Sequence, residues 1–130
     1  IKAIALKSIK EVNYHFKHSR AWVLRLGDGT KESKVKIQES IDELWRFTGE
    51  IFESDDVENN LISENIITAS NTYYHEWSKI VKETLQEALL IEPENVVMLT
   101  GGKKGLHTEK LGFMLAEMQY LPRTYPNAKW

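Results

Sequence analysis

Four histidines and one lysine-bearing glycine run are the residues with which this chain could do chemistry. Glu11 and His15 stand four apart, which puts both on one flank of a helix. Helical bundles that hold carboxylate-bridged iron or manganese take Glu-x-x-His, three apart, from each of two helices and a lone Glu from each of two others. The residue three before His15 is Val12; before His18 it is His15, before His75 Thr72 and before His107 Lys104. None is a carboxylate, so Val12 marks a degenerate ligand position and we expect no metal and no cofactor in this chain. Glu11 cannot stand in for Val12, because neighbouring residues on a helix point about 100° apart. His15 is expected to be a structural residue of the bundle flank.

Gly101-Gly102-Lys103-Lys104-Gly105 resembles a phosphate loop only in outline. The Walker pattern needs Gly-x-x-x-x-Gly-Lys followed by Ser or Thr after a buried strand, and this run has neither. What survives is weaker: Lys103 and Lys104, beside a helix start, could meet a phosphorylated ligand or an acidic partner. His107-Thr108-Glu109 offers a base, a hydroxyl and an acid, but adjacent helical residues diverge and cannot assemble a triad. Thr108 is better read as a cap and Glu109 as a first-turn acid that complements the helix dipole. No catalytic residue is assigned.

The elements that carry these residues are helical. Ala5, Ile9, Val12, Phe16 and Val23 recur at helical spacing, with a second line of Ile4, His15, Trp22 and Leu26 beside them, so the first helix must be covered from two sides. The partners of the second line need not all lie in this chain. Arg25-Leu26-Gly27-Asp28-Gly29-Thr30 stops this helix, with the glycines expected to supply a left-handed residue and Thr30 the next cap. A second helix is expected from Lys31 to about Ser54, with Ile37, Ile41, Leu44, Trp45, Ile51 and Phe52 inward. An irregular acidic connection follows from Glu53 to Asn71. Ser70 or Asn71 should cap a third helix running to Leu90 and stopped by Pro93. Val96 to Leu99 can make a strand-like connector but no sheet. A fourth helix, capped by Thr108, carries Leu111, Met114, Leu115, Met118 and Leu121 and is ended or kinked by Pro122. Gly112 inside it suggests close approach of another backbone. The aromatic tail from Arg123 to Trp130 is expected to dock on the body. The organisation is one all-α region over residues 1–130.

Composition narrows the function classes. The chain has 130 residues, 17 Lys and Arg against 19 Asp and Glu, and no cysteine. Near-balanced charge gives no footprint for nucleic acid or anionic membrane. Without cysteine there are no disulfides, thiolate metal sites or thiol nucleophiles, which suits the cytoplasm. No apolar run approaches the ~20 residues of a spanning helix. The chain opens on Ile1-Lys2-Ala3-Ile4-Ala5-Leu6, already in helical pattern and without Met or a cap. It is therefore expected to be the C-terminal part of a longer protein.

Three segments carry a resemblance. They are Lys10-Glu11-Val12-Asn13-Tyr14-His15 continuing to Trp22-Val23-Leu24-Arg25-Leu26-Gly27-Asp28-Gly29-Thr30, Asp42-Glu43-Leu44-Trp45 with Thr48-Gly49-Glu50, and Gly105-Leu106-His107-Thr108-Glu109-Lys110-Leu111-Gly112 continuing to Arg123-Thr124-Tyr125-Pro126. In order and spacing they resemble the C subunit of the bacterial phenylacetyl-CoA epoxidase, among the phenylacetic acid catabolic proteins. The resemblance implies a ferritin-like helical bundle, here its C-terminal portion of four helices, whose first helix would carry the second Glu-x-x-His in a catalytic relative.

The resemblance also implies a role. The family's A subunit is the catalytic one and holds the di-iron centre, while the C subunit is its structural partner. We therefore expect a non-catalytic subunit of a cytoplasmic monooxygenase complex in phenylacetate catabolism. Its expected partners are the di-iron subunit and further copies of itself, with Lys103 and Lys104 as candidate acyl-CoA contacts. One alternative is an oxygenase component whose metal site is completed by a missing N-terminal half. Another is a stand-alone helical interaction module.

Overall fold

A computed structural model describes residues 2–129; Ile1 and Trp130, where the sequence pattern begins the first helix and closes the aromatic tail, lie outside the described residues. Among the described residues there are five α-helices and no strand: α1 (Lys2–Gly27), α2 (Lys31–Leu44), α3 (Asp56–Ser63), α4 (Tyr74–Glu87) and α5 (Glu109–Thr124). The all-α class is the one that the periodicity predicts. The chain divides into two compact units between Leu99 and Thr100.

The first unit is built on α1, α2 and α4. Leu85, Ala88 and Leu90 are its buried centre, and Val23, Leu24, Ile37, Ile41, Trp45 and Val81 pack around them. Glycines close the α1–α2 corner, though not by the left-handed conformation expected of them: positive φ among the glycines is found at Gly101 and Gly105. Gly27 is needed for approach, since a Cβ there would lie 2.3 Å from the Ala88 carbonyl oxygen. Gly29 is hemmed in likewise, with the Arg25 carbonyl oxygen 2.5 Å from a Cβ position. Thr30 then caps α2 as its position predicts, its Oγ1 accepting from the Ser33 N–H at 3.1 Å.

Several features of this unit differ from expectation. α2 stops at Leu44, and short 3₁₀ turns at Trp45–Phe47 and Gly49–Phe52 replace its last stretch. The Arg46 carbonyl, which a continuing helix would use, accepts instead from the Leu99 N–H at 2.8 Å. The acidic connection holds a helix, α3, started by a capping box in which Asp55 Oδ1 accepts from the Glu58 N–H and Glu58 Oε2 accepts from the Asp55 N–H. Ser70 and Asn71 cap nothing; they sit in a 3₁₀ turn, Ser70–Tyr73, that leads into α4. α4 ends well before Pro93, where Leu89 takes φ 57 and the Leu90 N–H reaches the Leu85 carbonyl at 2.9 Å. That turn drives Leu90 into the core. Residues 96–99 form no strand.

The second unit begins with a 3₁₀ turn, Gly102–Lys104, between Gly101 (φ 104) and Gly105 (φ 86). Thr108 stands at the N-cap of α5 but makes no side-chain capping bond. The helix runs through Pro122 to Thr124 rather than ending there. A proline in the last turn removes one ladder donor, and the Tyr125 N–H still closes on the Leu121 carbonyl at 2.9 Å. Residues 125–129 are exposed in place of docking. Nothing lies within 4 Å of a Cβ built on Gly112, so the close approach expected of it is not made within the described residues.

Candidate functional site

The first unit presents an apolar groove of ≈ 360 Å³ between α1, α2 and α4, with Phe16, Val23, Ile41, Leu44, Trp45 and Trp77 among its walls. Its hydroxyls are all turned back onto their own helices. Ser19 donates to the His15 carbonyl (2.8 Å), Ser40 to Lys36 (2.9 Å), Thr48 to Trp45 (2.8 Å) and Thr84 to Ile80 (2.8 Å). Arg20, at the rim, is held in an ion pair with Glu87 that ties α1 to α4. With its polar groups satisfied internally, the groove offers apolar contact and no directed hydrogen bond. It suits a packed side chain better than a polar substrate.

At one end of the groove the aromatic rings crowd together. Phe52 meets Tyr74 edge-on at 5.1 Å and Trp77 at 5.2 Å, and Trp77 lies 6.1 Å from Trp45. These geometries are the offset and edge-to-face ones that aromatic quadrupoles favour. They fix the 3₁₀ stretch after α2 onto the start of α4. Gln38 fixes the other end: its amide donates to the Ile91 carbonyl and accepts from the Ile91 N–H, both at 2.9 Å. No periodicity singles out Gln38.

Along the outside of α1 runs a second set. Tyr14 stacks on His18 at 5.8 Å, His18 meets Trp22 edge-on at 6.4 Å, and the Arg25 guanidinium lies 5.7 Å from the Trp22 ring centre. The spacing of four, four and three places them on one exposed flank. Trp22 belongs to the second apolar line read from the sequence; Tyr14 and His18, eight and four residues before it, belong to neither line. Ile4 and Trp22 of that line are exposed, as are Ile9, Val12 and Phe16 of the first. Val23 alone of the first line packs against the core.

The structure brings Glu11 and His15 together, Oε1 to Nε2 3.5 Å, with side chains 74% and 66% exposed. It does not bring a third ligand to them. No group of three or more His, Asp or Glu side chains that could hold a metal occurs among the described residues. Val12 and His15 are both exposed rather than gathered in a bundle interior. The described residues thus do not fit a di-iron site by themselves. Lys103 and Lys104 lie exposed in the turn between the two left-handed glycines, and His107, Thr108 and Glu109 follow at the start of α5. Arg25, Gly27, Asp28, Gly29 and Thr30 form the tight α1–α2 corner. Among the described residues no helix is long and apolar enough to cross a membrane.

The described residues form helices without a strand, and three helices of the first unit pack around an apolar groove, which defines the class of helical-bundle proteins. Comparison makes the class specific. The phenylacetic acid catabolic protein family matches residues 1–130, and the chain belongs to this family, whose fold is a ferritin-like helical bundle. A relative, the C subunit of 1,2-phenylacetyl-CoA epoxidase from Escherichia coli K12, is 47% identical over 130 residues, all of this chain and 52% of the relative. The chain spans about half the length of that relative.

Proposed function

We propose that this chain acts in phenylacetate catabolism as part of a non-catalytic structural subunit of a multicomponent phenylacetyl-CoA epoxidase, pairing with a separate subunit that carries the di-iron centre. The observation that carries the reading is the 47% identity to an epoxidase C subunit, sustained over every residue of the chain. The ligand geometry supports the non-catalytic part. A carboxylate-bridged pair of ions needs acids to neutralise and bridge it, and Val12 supplies neither. His15 meets one exposed acid, Glu11. On this reading the chain contributes surface and shape, and the reacting atoms are held elsewhere.

The test is reconstitution. The full-length product of this gene and the catalytic subunit of the same complex are purified separately, without chelators, then mixed. We expect iron in the catalytic subunit, co-elution of the two, and epoxidation of phenylacetyl-CoA that requires both. Stoichiometric iron in the product of this gene, lost in a His15→Ala variant, would replace this reading with that of an oxygenase component bearing its own metal. Failure to co-elute would favour a stand-alone helical module.

A further inference from the structure

α1 meets α4 and the core with one side. Arg20 pairs with Glu87 of α4, Gly27 abuts Ala88, and Val23 packs on the core. At about 100° per residue these three lie roughly 140–160° from Lys7 and Arg25, which share one line along the opposite face. Tyr14 and His18 lie within about 20° of that line, Glu11 about 40°, Lys10 and Trp22 about 60° and Lys17 about 80°. All of these outward residues are exposed. From Lys7 to Arg25 the face runs about 27 Å along the helix.

The chain has a net charge of -2, yet this face is positive: Lys7, Lys10, Lys17 and Arg25 stand against Glu11, whose carboxylate is taken up by His15. None of the four cations is ion-paired with an acid among the described residues. Lys7 and Lys10, three apart on the helix, repel each other unless an acid stands between them. The rings among the cations are already engaged: Tyr14 stacks on His18 at 5.8 Å and 26°, and the Arg25 guanidinium stands 5.7 Å from the Trp22 ring centre. Single-stranded nucleic acid binds by stacking bases on free ring faces, and here those faces are taken up by neighbours. The same face of a second copy would set four cations against four, which is repulsive. Carboxylates are what it complements, through the ammonium and guanidinium groups and through ring edges, which carry the positive part of the aromatic quadrupole.

We infer that this outward face of α1 seats an acidic segment of the catalytic subunit, which presents Asp and Glu side chains to Lys7, Lys10, Lys17 and Arg25. The inference rests on the pairing proposed above and adds the surface and the chemistry of the contact. It is tested on the full-length gene product reconstituted with the catalytic subunit, treated with a carbodiimide, which joins amines to carboxylates in direct contact, and read by mass spectrometry. Lys7, Lys10 or Lys17 should be joined to Asp or Glu of the catalytic subunit. Lys7→Arg with Lys10→Arg and Lys17→Arg, which keeps the charge but cannot couple, should lose the links and keep the affinity. Lys7→Glu with Lys10→Glu and Lys17→Glu should weaken the pairing by about tenfold or more at low salt and by less at high salt. The separated Glu variant should keep the parent's circular dichroism, since the replaced side chains are exposed. A catalytic subunit that co-elutes without forming such links, or that binds the Glu variant unchanged at both salts, would overturn the inference and leave the proposed pairing standing. Links confined to acids of this polypeptide, in the same or a second copy, would do the same. Failure to co-elute at all would end the pairing and the inference together.

Discussion

Gly27 shows how much a single missing side chain can decide. A methyl group there would lie 2.3 Å from the Ala88 carbonyl oxygen and 2.9 Å from the Ala88 Cβ, so α1 and α4 would have to part. Alanine gains up to ~1 kcal/mol in helix propensity over glycine, whereas overpacking a tight contact costs about 1–3 kcal/mol. The clash is with backbone, which cannot swing aside, so the cost wins. Gly27→Ala is expected to lower stability by about 1–2 kcal/mol in urea titration, and adding Ala88→Gly should restore only part, because the carbonyl remains. A neutral Gly27→Ala would contradict the packing. Gln38→Ala, which removes both bonds to Ile91, should cost about 1 kcal/mol, the low end for two exposed hydrogen bonds. A loss under a few tenths in the same titration would mean that solvent replaces the clamp freely. The absence of an acid three before any histidine is legible in the string itself, since it depends on local spacing. Gly27 and Gln38 are not, because their partners are brought up from distant positions; Ile91 is 53 residues from Gln38.

Helix caps act over one turn and sort the elements differently. Thr30 and Asp55 both close the first turn of a helix, but the helices they start differ in what else holds them. α2 packs Ile37 and Ile41 on the core, while α3 has no buried residue. Loss of a cap costs about 1 kcal/mol in either place. Thr30→Ala should therefore lower global stability by about that amount with α2 still formed, and Thr30→Ser should be nearly silent. Asp55→Ala should instead leave global stability within about 0.5 kcal/mol and raise amide exchange across α3 alone. Exchange that accelerates equally in α2 and α3 would show that the helices unfold as one unit. The long helices were readable because apolar residues recur over several turns. α3 was not, being short and polar, although Asp-x-x-Glu at Asp55 and Glu58 carried its start. The end of α2 was unreadable for another reason: it is set by Leu99, which captures the Arg46 carbonyl from outside the helix.

For the molecule entire, surface area is the quantity that decides. The chain exposes 11087 Å², against about 7,100 Å² expected of a compact 15.1 kDa monomer. Two separate compact bodies split at Leu99 would still expose only about 8,300 Å² together. The excess includes large apolar side chains on α1 and on α5, among them Ile4, Val12, Phe113, Met114 and Met118. Soluble monomers rarely tolerate contiguous apolar patches beyond a few hundred Å². The first helix's need for cover on two sides was legible from its two apolar lines, but what supplies that cover was not, since a stripe records that it is apolar and not what it touches. The 130-residue chain by itself should hide this surface by associating. Its scattering mass should exceed 15.1 kDa, rise with concentration and fall on dilution. An apolar dye should brighten on it at every concentration. A dilution-resistant monomer that leaves the dye dark would mean that the chain buries these side chains by itself.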